Sequence, residues 1–352
     1  METKKAMVIV NPHSGKKGGM KRYKELVKWR DGAAKEAGIK LDIFLTNKSE
    51  ERNATNLAKR AVKEGYDLIL VVGGDGTVNE VANGVVGSNI PLLVVRAGNG
   101  NDFARANGSP EDVGEALDLI FHGEVRSVDL MEVNGRVCVN VFGFGGIDAR
   151  AVEYVEGTLR KKCGFMPIKF LYLVSLIREL FRFKIKYPYL KLEVQERGLP
   201  ARSMEGRVSL FAVANGPTCG GIFRINPGAD VSDGLLEVCW VKKTSRFRIL
   251  VNIIRALNGT HLCLPEVETL PDGTLPRLNS LTVSSLELLI AQMDGEIIPA
   301  NKEFKIAVIP QALKVLVPPS LIAAQRPLMI RELKTPEFQP SLIGKEISGF
   351  SF

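Results

Sequence analysis

The chain has 352 residues, 45% hydrophobic and 24% charged, which excludes a disordered polymer and suits two domains of about 150 residues each. Five cysteines (Cys138, Cys163, Cys219, Cys239, Cys263) without a CxxC pair, and three histidines (His13, His122, His261) without ligand spacing, argue against a disulfide framework or zinc site. A net charge of +8 comes without interleaved aromatics or a nucleic-acid reading module, so no nucleic-acid partner is expected, and a phosphate-rich ligand or membrane surface stays open.

Met7–Val10 is a short β-branched run, and the spacing of Tyr23, Leu26, Val27 and Ala34 predicts a helix over Met20–Ala37. Leu41–Leu45 reads as a strand, Glu51–Glu64 as a helix, and Asp67–Val72, apolar from Leu68 onward, as the buried middle of a parallel sheet. A helix from Thr77, a strand Pro91–Val95 and a helix Pro110–Phe121 complete an α/β domain over residues 1–122. Glycine-rich turns follow Val10, Val72 and Val95, at the carboxyl ends of strands, where open α/β sheets bind ligands. The three turns are expected to converge on one site.

From residue 123 to 303 the texture is of short strands: Ser127–Val133, Arg136–Phe142, Tyr189–Val194, Arg207–Ala214, Leu235–Val241, Leu281–Ser285 and Leu288–Ala291. Helices Pro167–Arg182 and Ser245–Leu257 interrupt this antiparallel, β-rich second domain. Two further apolar runs fall within Phe304–Val317, and residues 319–352 form a tail with no firm pattern. No window carries 18 apolar residues, and the charged start is wrongly built for a signal peptide, so a cytoplasmic protein is expected. Between Thr158 and Lys186, eight basic residues face one acid, Glu179. The helix there is either a core helix with a solvated basic face or a surface for acyl chains and anionic lipid.

Gly73-Gly74-Asp75-Gly76-Thr77 lies between a buried strand and a helix. A bare Gly-Asp-Gly is an ordinary tight turn. In this setting the glycines turn N–H groups toward a phosphate, Thr77 serves as N-cap, and Asp75 reaches a phosphate through Mg²⁺. Neither GxxxxGK[ST] nor GxGxxG occurs. Asn11-Pro12-His13-Ser14-Gly15, with Lys16 and Lys17, gives a second loop, and Gly98-Asn99-Gly100-Asn101-Asp102 a third, with another carboxylate at the same edge. Asp230–Leu235 is a surface turn ahead of a strand or a metal loop, and Asp294-Gly295-Glu296 is by composition a hairpin turn.

The blocks VNPHSG (10–15), VVGGDGTVNEVANGV (71–85), AGNGNDFAR (97–105), NGPTCGGIFRINPGADVSDGLLEV (215–238) and MDGE (293–296) together resemble the diacylglycerol kinase catalytic family. The resemblance spans residues 6 to about 318. It implies an α/β nucleotide domain similar to that of phosphofructokinase and NAD kinase, a β-sandwich-like second domain, a cleft between them, and a return of Phe304–Val317 to the first domain. It also implies transfer of the ATP γ-phosphate to a lipid hydroxyl, most simply of diacylglycerol; a sphingoid base, ceramide or phosphatidylglycerol are alternatives. ATP would touch Asn11, Pro12, His13, Ser14, Gly15, Thr46, Gly73, Gly74, Asp75, Gly76, Thr77, Val78, Asn79, Glu80 and Asn99. Asn99 stands where bacterial members commonly carry Thr.

The same resemblance makes Glu296 the general base with Asp294 a supporting carboxylate, beside Asp75 and Asp102. It places a structural Mg²⁺ on the Asp233 carboxylate and the Asp230 and Leu235 carbonyls, an oxygen-only set that suits that ion. A protein without an anchor would meet its lipid by peripheral contact with an anionic membrane, and a homodimer stays open. NAD kinase shares Gly-Gly-Asp-Gly-Thr but not the Asn-Pro-x-Ser-Gly opening or the Asp-Gly-Leu-Leu loop. A non-catalytic lipid-binding relative would not need Asp75, Asp102, Asp233, Asp294 and Glu296.

Overall fold

The computed structural model describes residues 4–15, 18–47, 49–50, 52–144, 148–159, 162–163, 166, 168–181, 187–195 and 202–323. The first domain carries β1 (Lys4–Val10), β2 (Ile39–Leu45), β3 (Leu68–Gly73) and β4 (Leu92–Arg96) in the order β2-β1-β3-β4. All neighbours are parallel, with Val8 opposite both Ile43 and Leu70. Apolar side chains on both faces of these strands are buried, as a sheet covered by helices on each side requires. The helices are α1 (Gly18–Trp29), α2 (Asn53–Lys63), α3 (Asp75–Val85), α4 (Asp102–Ala106) and α5 (Val113–His122).

Elements of the first domain depart from the expected bounds for local reasons. The first helix ends at Trp29 and passes into a wide turn over Arg30–Ala34, because Gly32 lies outside helical φ/ψ. α3 begins at Asp75, two residues early: extended Gly74 is its N-cap, and Thr77 lies inside the first turn without capping it. α5 starts at Val113 because the Asp112 carboxylate accepts from the N–H groups of Gly114 and Glu115.

The second domain holds β5 (Glu124–Val133), β6 (Arg136–Cys138), β7 (Val141–Phe144), β8 (Tyr189–Gln195), β9 (Arg202–Ala214), β10 (Leu236–Lys242), β11 (Arg277–Leu278), β12 (Ser280–Met293) and β13 (Glu296–Val317). The expected single strand Arg136–Phe142 is broken at Val139–Asn140, whose N–H groups turn to a carboxylate described below. β13 joins the two domains. Its first half runs antiparallel to β12, its second half antiparallel to β5, and Val315 pairs in parallel with Leu92 of β4.

Inside the second domain Phe142, Phe144, Phe211, Phe304 and Trp240 form one aromatic core, with Phe144 stacked on Phe211 at 4.6 Å. A separate cluster packs α6 (Asp148–Tyr154) against helices Ile168–Leu180 and Arg246–Ala256 through Ala151, Leu176, Leu180, Ile249 and Ile253. Of the basic segment, Arg160, Lys161, Arg182, Lys184 and Lys186 lie outside the described residues. No helix among the described residues is long and apolar enough to cross a membrane.

Candidate active site

The three glycine-rich loops meet, and the absence of Cβ atoms is what allows it. A Cβ on Gly98 would stand 2.4 Å from the Gly74 Cα, and one on Gly15, where φ is +59°, 2.5 Å from the Ala97 carbonyl oxygen. Asn11 fixes the first loop to the second by donating from Nδ2 to Thr77 Oγ1 at 3.0 Å, and its own Oδ1 accepts from the His13 N–H. Left-handed Asn101 closes the third loop through paired side-chain bonds with Gly98, each 2.9 Å.

Asp75 and Asp102 face one another across Gly100, where an added Cβ would lie 2.6 Å from Asp75 Oδ2 and 3.2 Å from Asp102 Oδ2. Asp75 Oδ2 accepts from the Asn101 N–H at 2.7 Å, while its buried Oδ1 has no hydrogen-bond partner. Burial, with Asp102 and Asp294 nearby, raises the Asp75 pKa to about 7. Asp102 is held from the second domain, accepting from Thr218 Oγ1 at 2.7 Å and from the Gly221 N–H at 3.0 Å. Arg105 donates to the Gly221 carbonyl beside it. Neither Thr218 nor Gly221 has a role by spacing alone, and the Gly220-Gly221 pair, both at positive φ, is the signal in the sequence that marks this contact.

Asp294 and Gly295 both have positive φ, +49° and +85°, as a two-residue hairpin between β12 and β13 demands. The Asp294 carboxylate accepts four hydrogen bonds, from Asn79 Nδ2 (2.6 Å) and the N–H groups of Val139 (2.8 Å), Asn140 (3.0 Å) and Val141 (2.9 Å). It therefore joins α3 of the first domain to the β6–β7 break of the second. Burial raises its pKa, against the pull of those donors. Two residues on, Glu296 is exposed, and its Oε1 lies 3.6 Å from where a Gly76 Cβ would sit. The hairpin thus brings Glu296 to the glycine-rich loop after β3.

A cavity of about 1080 Å³ runs between the domains. Asn11, His13, Ser14, Gly15, Gly74, Asp75, Gly76, Thr77, Asn99, Asp102, Asp294 and Glu296 line it. The other expected ATP contacts sit elsewhere: Val78 is in the core, Asn79 is bound to Asp294, and the Glu80 carboxylate accepts from the Ala54 N–H at the start of α2. Pro12 and Gly73 flank the lining residues, and Thr46 donates its N–H to the Val10 carbonyl. Past Glu296 the cavity continues into the second domain as an apolar chamber, walled by Leu171, Leu176, Leu210, Phe223, Ile249 and Ile253. Helix Pro167–Arg182, read from sequence as a core helix or a surface for acyl chains, supplies Leu171 and Leu176 to this chamber, while the other walls come from strands and helices far apart in the chain.

In the Asp230–Leu235 loop, Asp230 accepts from Arg126 Nη2 and from Ser232, and Asp233 accepts from the Leu235 N–H. Burial raises Asp233 to about 6 and Glu237 to about 8, and neither carboxylate oxygen of Glu237 has a hydrogen-bond partner. With Asp129 also present, four carboxylates meet two guanidinium groups, Arg126 and Arg277. With Glu237 held neutral by burial near pH 7, the remaining carboxylates exceed the guanidinium groups by one, and their oxygens suit a hard cation. Among the described residues no set of three or more His, Cys, Asp or Glu is arranged to hold a metal by side chains alone.

Residues 5–133 match the model of the diacylglycerol kinase catalytic domain, and residues 143–317 that of the YegS C-terminal NAD kinase beta sandwich-like domain. A diacylglycerol kinase of Bacillus subtilis (strain 168) is 27% identical over 296 residues, covering 83% of this chain and 90% of that one. One of Staphylococcus carnosus (strain TM300) is 28% identical over 306 residues, 85% of this chain and 91% of its own. The fold is similar to the crystal structure of a diacylglycerol kinase from Bacillus anthracis str. Sterne, with a TM-score of 0.69 at 24% identity, over 91% of this chain and 98% of that one.

Proposed function

The chain belongs to the diacylglycerol kinase catalytic family, in its two-domain form with a β-sandwich-like second domain, and on that basis we propose that it is an ATP-dependent lipid kinase. It moves the γ-phosphate of ATP to a lipid hydroxyl, with diacylglycerol the leading acceptor. The observation that carries this reading is one cavity with two chemistries, backbone-rich phosphate loops at one end and an apolar chamber at the other, with Glu296 at the junction.

Phosphoryl transfer depends on alignment and on neutralising charge. The N–H groups of the Gly74–Thr77 turn and the α3 N-terminus bind and orient the triphosphate. The unpartnered Asp75 Oδ1, with Asp102 opposite, fits the Mg²⁺ that accompanies ATP, and that ion would offset the phosphate charge. Glu296 accepts the proton of the attacking hydroxyl as its oxygen approaches the γ-phosphate. Asp294 positions Glu296 and α3, and takes no proton itself. A second Mg²⁺ on the Asp233 carboxylate and the Asp230 and Leu235 carbonyls would stiffen the loop behind β5. Measuring ADP release with Mg-ATP, with and without diacylglycerol, sphingosine, phosphatidylglycerol or NAD, tests the reading. Release driven by diacylglycerol supports it, and release driven by NAD alone overturns it.

A further inference from the structure

Helix Arg246–Ala256, RFRILVNIIRA, is apolar on two sides. Its inner side, with Ile249, Asn252, Ile253 and Ala256, lines the cavity. At about 100° per residue, Phe247, Leu250, Val251 and Ile254 form a second stripe on the opposite side. Phe247 is 74% and Ile254 55% exposed, values far from a packed core. Arg246, Arg248 and Arg255 edge that stripe, and the helix carries no acid. Arg248 pairs with Glu266, and Arg246 and Arg255 are exposed. Helix Ile168–Leu180 packs alongside through Leu176 and Leu180, and its Val174 and, one residue beyond its end, Phe181 are exposed as well.

We infer that the outer face of helix Arg246–Ala256 is the docking surface for an anionic bilayer, seated with its aromatic and aliphatic stripe in the interface and its arginines among the headgroups. An apolar stripe bordered by arginines is the chemistry of a helix lying in the plane of a membrane. Long basic side chains lay their stems along the apolar border and keep the charge in the headgroup layer. A soluble monomer gains nothing from showing Phe247 and Ile254 to water side by side. The position agrees, since the same helix walls the apolar chamber, and docking sets chamber and bilayer against one another across one helix. This placement rests on reading the chamber as the lipid's.

The test is sedimentation of the full chain with vesicles of phosphatidylcholine containing phosphatidylglycerol or none, beside activity on a short-chain, monomeric diacylglycerol. Wild type is expected to bind anionic vesicles, less so as salt rises. Arg246→Glu/Arg255→Glu should weaken that binding at least about tenfold, as near 1 kcal/mol per surface charge implies, and Phe247→Ser/Ile254→Ser should weaken it at least about tenfold through the lost apolar contact with the interface. Both variants should keep wild-type melting temperature and activity on the monomeric substrate. Equal binding by the serine variant, or equal binding of wild type to neutral vesicles, overturns the proposal. So does a wild-type dimer that the serine variant dissolves, which would make a second copy the occupant. Vesicle binding that follows the pattern in a protein that phosphorylates no lipid would keep the docking surface and refute the kinase reading instead.

Discussion

Replacing Asp294 by Asn should unfold the joint between the domains while leaving every cavity-lining loop in place by sequence. Asn tolerates the left-handed φ of +49° and nearly matches the side chain in size, so backbone strain and cavity formation drop out. What changes is hydrogen bonding. Oδ2 receives Asn79 Nδ2 and the Val139 N–H, and Oδ1 receives the Asn140 and Val141 N–H groups. An amide keeps one of those pairs on its oxygen and presents NH₂ to the other pair. Two bonds to a charged acceptor are lost, at about 1.5–3 kcal/mol each, or roughly 3–6 kcal/mol together. At about 2–4 °C per kcal/mol, the melting temperature should fall by roughly 6–24 °C in scanning calorimetry. Activity should fall with it, because Asn79 and Glu296 lose their common support. A melting temperature within about 2 °C of wild type would refute the role assigned to this carboxylate.

Glu296→Gln should behave in the opposite way: an unchanged melting temperature and ATP affinity within a few-fold, with kcat lower by about 10²–10⁴, or roughly 2.7–5.4 kcal/mol of barrier. Near-normal kcat with a raised KM for lipid would make it a substrate-positioning residue. Asp75 is raised from 3.8 to about 7, so the fold favours its protonated form; that stability is full below pH 4 and is lost as pH climbs through 7. In the proposed binding mode Mg-ATP meets Asp75 as the carboxylate, so calorimetric affinity should rise from pH 6 to 8 with proton release, and Asp75→Asn should flatten that rise. Gly98→Ala, which forces a Cβ to 2.4 Å from the Gly74 Cα, should weaken ATP binding at least about tenfold. Gly87→Ala, strained by its φ of +77° but in open space, should cost stability without touching nucleotide affinity. Asp233→Ala should abolish any rise in melting temperature on adding Mg²⁺, and an equal rise in both proteins would remove the metal from that loop.

The parallel half of the fold was legible because its signals are local. Fully apolar β3 could only be a buried parallel strand, and each glycine-rich loop marks the end of the strand before it. Convergence of those loops followed from topology, and the contacts of Gly74 with Gly98 and of Gly15 with Ala97 are its realisation. Thr77 was misplaced because extended Gly74 caps α3, a backbone choice that residue type does not announce. Asp102 was legible as a carboxylate at the sheet edge but not as a residue gripped by Thr218 and Gly221, more than a hundred residues away. Most of the apolar chamber was illegible for the same reason, since Leu171, Leu210 and Ile253 meet only in the folded second domain. Spacing along the chain carries the glycine-rich loops, and tertiary packing carries most of the apolar chamber.

The central claim, that one cavity brings a nucleotide phosphate to a lipid hydroxyl, is tested most directly by following the label of γ-³²P-ATP into lipid. The protein, Mg²⁺ and mixed vesicles containing diacylglycerol should yield labelled phosphatidic acid in the organic phase, and Glu296→Gln should reduce that label by the factor given above. Label appearing only as inorganic phosphate, with the organic phase blank for diacylglycerol and for every other lipid hydroxyl offered, would contradict the account.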